Sequence, residues 1–84
     1  MTHFDYLAPA RLYLGGDFTT ARSLGGKRFK SAAAALRFAL EEAAPVSLRG
    51  AILELADADL QGPELRRLYE AVAYPLRRKV ELAA

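Results

Sequence analysis

Between Ser31 and Val72 the apolar spacing of the chain changes twice, from a period near 3.6 to a period of 2 and back. Ser31 can cap a helix whose inward stripe is Ala32, Leu36, Ala39, Leu40 and Ala43. This helix must end before Pro45, because the residue ahead of a proline is pushed out of the helical region. Ala51 to Asp57 alternates like a strand, with Leu53 and Leu55 on one face and Ile52 and Glu54 on the other. Gly62-Pro63-Glu64 then opens a second helix, with Gly62 as cap, proline at the first helical position and a carboxylate beside the positive end of the dipole. Its inward side is Leu65, Leu68, Tyr69 and Val72, and Pro75 stops it by Tyr74.

Upstream, Ala10 to Leu14 suits a half-buried strand with Leu12 and Leu14 inward. Residues 15–26 read as a long loop bracketed by Gly15-Gly16 and Gly25-Gly26, and Lys27 to Lys30 as a short strand carrying Phe29 inward. The order is β-β-α-β-α. It predicts an α+β fold of two layers, a small antiparallel or mixed sheet with both helices on one face. The expected core is Leu12, Leu14, Phe29, Leu36, Leu40, Leu53, Leu55, Leu65, Leu68 and Val72. With 84 residues the chain makes one domain, and residues 1–8 and 77–84 are expected to be poorly ordered.

Composition narrows the function classes. Hydrophobic residues at 52% and charged residues at 26% belong to a globular chain. The chain contains no cysteine, so disulfides and thiolate chemistry are excluded. No apolar run approaches the ~20 residues of a membrane span, and the start has no signal-peptide pattern, which predicts a cytoplasmic protein. The net charge of +2 is slight, but the basic residues cluster: Lys27, Arg28 and Lys30, then Arg66 and Arg67, then Arg77, Arg78 and Lys79.

Several motifs fail on inspection. Gly25-Gly26-Lys27-Arg28 lacks both the leading glycine and the hydroxyl of a phosphate loop. Asp57-x-Asp59-x-Gln61-Gly62 begins like a calcium loop, but Leu68 stands where the bidentate glutamate belongs. Those aspartates read as a polar turn. His3 is the single histidine, and nothing in the pattern holds it for metal or proton transfer. No cofactor, metal or catalytic residue is nominated.

Two features exceed a plain core. By alternation, the sheet face away from the helices carries Arg11, Tyr13, Arg28, Lys30, Ile52 and Glu54. Cations beside an aromatic ring can pair phosphates and stack bases, so Arg11, Tyr13, Arg28 and Lys30 are candidate nucleic-acid contacts. Phe38 projects nearly opposite Leu36, to be covered by residues 15–26, offered to a partner or simply exposed. With Ile52 on the open face, it makes a candidate protein interface. The leading expectation is a non-enzymatic interaction module that self-associates as a homodimer or binds a protein partner. The alternative is a nucleic-acid binder.

Arg28-Phe29-Lys30-Ser31 leading into Ala35-Leu36-Arg37-Phe38-Ala39, with Leu68-Tyr69-Glu70 and Tyr74-Pro75-Leu76 beyond, resembles a group of short alphaproteobacterial proteins of unassigned function. The resemblance implies a small intracellular α/β protein and carries no activity or site residue with it.

Overall fold

The computed structural model describes residues 4–77. Four short strands form one antiparallel sheet, β1 (Ala10–Tyr13), β2 (Lys27–Phe29), β3 (Ile52–Glu54) and β4 (Asp59–Gln61), in the order β2-β1-β3-β4. Three helices join them: α1 (Phe18–Leu24), α2 (Ala32–Arg37) and α3 (Gly62–Glu70). One π turn, Phe38–Glu42, continues α2, and a 3-10 turn, Pro45–Leu48, leads towards β3. The α+β, two-layer expectation holds, with α2 and α3 packed on one face of the sheet.

The register explains why the core sits where it does. Leu12 pairs with Leu53, and Leu53 with Leu60, so one face is aliphatic across three strands. Ala32, Ala33, Ala35, Leu36 and Ala39 from α2 and its π turn, with Leu65 and Tyr69 from α3, close over it. Alanines let α2 lie near the sheet at little cost in side-chain entropy. Of the expected core, Leu12, Leu36, Leu53 and Leu65 are fully buried, and Leu14, Phe29, Leu40, Leu55 and Leu68 are half-buried around them. Val72 is the exception. It lies beyond the last residue of α3 and is fully exposed, because the helix stops at Glu70 and the inward stripe stops with it.

Ser31 caps α2 as its sequence implies, its hydroxyl accepting from the Ala34 N–H at 3.1 Å. Carbonyls of Ala8 and Tyr6 accept from Ala32 and Ala33 at 2.7 and 2.9 Å, filling other orphan donors of that helix start. Residues 4–8, expected to be poorly ordered, are therefore tied to α2. Residues 1–3 and 78–84 lie outside the described residues. Phe4, Tyr6, Tyr74 and Tyr69 form a run of ring contacts, with centroids 4.9, 5.7 and 5.1 Å apart, and the Tyr74 hydroxyl donates to the Ala33 carbonyl at 2.8 Å.

Four further corrections concern backbone. Residues 15–26 are not a plain loop. Asp17 caps α1, accepting from the Thr20 N–H at 2.8 Å, and Gly25 ends it at a φ of 87° that a side chain would strain. Asp59-Leu60-Gln61 is a strand and not a polar turn, and Gln61, not Gly62, caps α3. The third expected strand is also shorter, because Leu55 to Ala58 forms the hairpin loop between β3 and β4.

Candidate interaction surfaces

The alternation of the strands places Arg11, Tyr13, Arg28, Ile52 and Glu54 on one face, as expected, since Arg11 pairs across to both Arg28 and Glu54, and Tyr13 to Ile52. The face is not open. Helix α1 lies over part of it, and Ala21 packs on Tyr13 and Ile52 in a small second apolar cluster. Ile52 is 6% exposed and Tyr13 is 8% exposed, so neither the interface role of Ile52 nor a stacking role for Tyr13 is available in this conformation. Lys30 is exposed just past the end of β2. Arg28 is exposed on the edge strand, where its charge also discourages edge-to-edge pairing.

Arg22 of α1 organises what remains of this face. Its guanidinium sits 4.5 Å from the centre of the Tyr13 ring, 3.3 Å from Glu54 and 3.0 Å from Asp59. The Glu54 carboxylate, then Asp59 and Tyr13, hold the Arg22 pKa above its ordinary value. Arg11 is likewise raised, first by the Tyr13 hydroxyl, with Glu54 at 3.9 Å adding less. Glu54 and Asp59 stand side by side across β3 and β4, bridged by Arg22. No local sequence pattern announces this trio, because neither α1 nor β4 is legible from spacing alone.

Phe38 is half-buried on the other side of the sheet. Its ring lies 5.6 Å from that of Phe29, and the Lys27 ammonium stands 4.5 Å from its centre. Its cover is therefore β2, not residues 15–26. The π turn that begins at Phe38 carries one extra residue, with the Ala43 N–H donating to the Phe38 carbonyl at 3.1 Å, and it brings Glu41 to accept from the Tyr69 hydroxyl.

Two clefts flank the hairpin of β3 and β4, one at each end. The first, about 740 Å³, runs between Arg11 and Arg28 on one side and Glu54, Leu55, Asp57 and Asp59 on the other. Its exposed hairpin tip is acidic, and Asp57 has no ion pair among the described residues. The second, about 590 Å³, lies between the 3-10 turn and the start of α3. Leu40, Pro45, Leu48 and Pro63 form its apolar lining, with Arg49 and Arg66 also on its walls. No carboxylate is among its lining residues. Arg66 reaches Glu70 at 3.5 Å along α3, whereas Arg49 has no ion pair among the described residues.

Among the described residues, no group of three histidines, cysteines or carboxylates could hold a metal ion, and no helix is long and apolar enough to cross a membrane. In comparisons with protein families, curated proteins and solved structures, nothing matches the chain.

Proposed function

We propose that this chain is a small, non-enzymatic interaction module that self-associates head to tail. The apolar groove of Leu40, Leu48 and Pro63, flanked by Arg49 and Arg66, receives the acidic β3–β4 hairpin of a second copy. The observation that carries this reading is the charge pattern along one hairpin. Its tip offers Asp57 between the exposed side chains of Ala56 and Ala58, and its far end opens beside a cationic groove with no carboxylate in its lining. An apolar side chain entering the groove is removed from water, and the flanking charges select the register. Because donor and acceptor surfaces differ, the contact is heterologous and builds short chains or a closed ring. This replaces a homodimer through Phe38 and Ile52, whose side chains are half-buried and buried.

Light scattering across a concentration series tests it. The mass of the wild-type chain is expected to rise above 9.2 kDa with concentration and to fall in high salt, while Arg49→Glu remains a monomer. A wild-type mass of 9.2 kDa at every concentration would overturn self-association.

A nucleic-acid reading keeps one supporting observation: Arg28 and Lys30 are exposed, and neither has an ion pair among the described residues. It lacks an open ring to stack a base upon, since Tyr13 is covered.

A further inference from the structure

Helix α1 is attached to the molecule differently from α2 and α3. It is seven residues long and buries a single side chain, that of Ala21, whereas α2 buries four in fewer residues. Its two large apolar side chains flank the buried position and stay largely in water, Phe18 at 45% exposure and Leu24 at 71%. Glycine pairs stand on both sides of it, Gly15-Gly16 and Gly25-Gly26. The seat is made backbone to backbone: a side chain on Gly15 would come within 2.6 Å of the Ala21 nitrogen, and one on Gly50 would strike the Asp17 carbonyl. Besides Arg22, the side chain that must leave the sheet when the helix lifts is the methyl group of Ala21.

The entry to the helix is held by backbone bonds of Gly15 with Ser47 and Gly50, at the hinge; what fastens the helix itself is polar and half-exposed. Arg22 makes the contacts that span from α1 to the sheet, over the Tyr13 ring and to Glu54 and Asp59. Its side chain is 42% exposed, and those of Glu54 and Asp59 are 35% and 50% exposed, so water and salt compete for every one of these contacts. Beneath lie Tyr13 and Ile52, which α1 keeps from solvent, next to Arg11 and Arg28.

We propose that α1 is a hinged lid, latched by Arg22, that masks an aromatic and apolar patch of the sheet and opens without unfolding of the α2–α3 side. The segments that open in native proteins are drawn from those with few buried apolar contacts and solvent-exposed polar ones, which describes α1. The lid also explains why the residues that read from sequence as an open face are covered: the patch exists, and its cover is removable. It is independent of the groove proposed above, which lies at the start of α3.

Two local readouts test the lid together: amide hydrogen exchange resolved by segment, and modification of individual tyrosines by tetranitromethane. In the wild-type chain the amides of residues 21–24 are expected to exchange at least ~10-fold faster than those at the centre of α2, the factor for an opening easier by about 1.4 kcal/mol. In Arg22→Gln, exchange in α1 and nitration of Tyr13 are expected to rise a further ~5-fold. Tyr69 and Tyr74, buried on the other side, should keep their wild-type rates. Rising salt applied to the unaltered chain gives the same reading without a substitution, since it screens the latch and spares the α2 core. Equal protection in α1 and α2 would overturn the lid, and so would a rise in nitration shared by Tyr13, Tyr69 and Tyr74, which reports global unfolding.

Discussion

Replacing Gly50 by alanine places a methyl group on the Asp17 main chain, where nothing can rotate away. The backbone of Gly50 is not in the left-handed region, so alanine itself is unstrained and the effect comes from the collision alone. To make room, residues 15–17 must separate from residue 50. This loosens the bond from the Gly50 N–H to the Gly15 carbonyl, 2.9 Å, and its neighbour from the Gly15 N–H to the Ser47 carbonyl, 3.0 Å. Each such bond contributes about 1 kcal/mol net, and overpacking a closed site costs about 1–3 kcal/mol. A loss of roughly 2–4 kcal/mol is expected, out of a total that for a domain this size is ~4–12 kcal/mol. Urea unfolding followed by circular dichroism measures it. At a slope of ~1 kcal/mol per molar the midpoint should fall by about 2 M or more. Gly16→Ala is the matched control. A methyl there meets nothing within 4 Å, and the substitution should be neutral or stabilising by ~0.4–1 kcal/mol, through the unfolded state. Equal midpoints for Gly50→Ala and wild type, or a fall shared by Gly16→Ala, would show that contact between residue 50 and the Asp17 main chain does not set the stability.

Two other substitutions separate the observed core from the one that spacing implies. Leu65→Ala empties a fully buried position and should cost about 2–5 kcal/mol, whereas Val72→Ser, at a fully exposed site, should stay within ~0.5 kcal/mol by the same urea titration. The Thr20 amide holds the Asp17 carboxyl below the ordinary aspartate range, so this cap contributes fully above the unfolded aspartate pKa and is lost as pH falls through the lower folded value. The stability gap between wild type and Asp17→Ala should therefore be constant near neutrality and close as acid is added, and a gap that persists in strong acid would contradict it.

Much of the fold is legible because several independent local signals agree. Ser31 before an alanine-rich stripe, the alternation of residues 51–57 and the Gly62-Pro63-Glu64 start all name their elements without help from tertiary contacts, though the strand proves shorter than its alternation. The parts that stay hidden depend on contacts between distant residues. Phe18 to Leu24 has no apolar stripe of its own and becomes a helix through the Asp17 cap and its seat on Tyr13 and Ile52. Asp59-Leu60-Gln61 has poor strand propensity, and its place is fixed by pairing with β3. The candidate surfaces move for the same reason. Alternation correctly assigns Arg11, Tyr13, Ile52 and Glu54 to one face, but no local pattern announces that a short polar helix will cross it. Leu48, Arg49 and Pro63 are separated from one another or from their groove partners in sequence, and they become one groove only when the 3-10 turn meets α3.

The head-to-tail contact is tested most directly by reversing the charge on each side of it separately and then mixing the two chains. Arg49→Glu spoils the groove and leaves the hairpin, and Asp57→Arg spoils the hairpin and leaves the groove. Each alone is expected to scatter light as a 9.2 kDa monomer, and the equimolar mixture to recover the wild-type mass. In the mixture a native hairpin meets a native groove, and the reversed hairpin and reversed groove also meet with opposite charges. A mixture that stays monomeric while the wild type associates, or single reversals that leave the wild-type mass intact, would contradict the proposal.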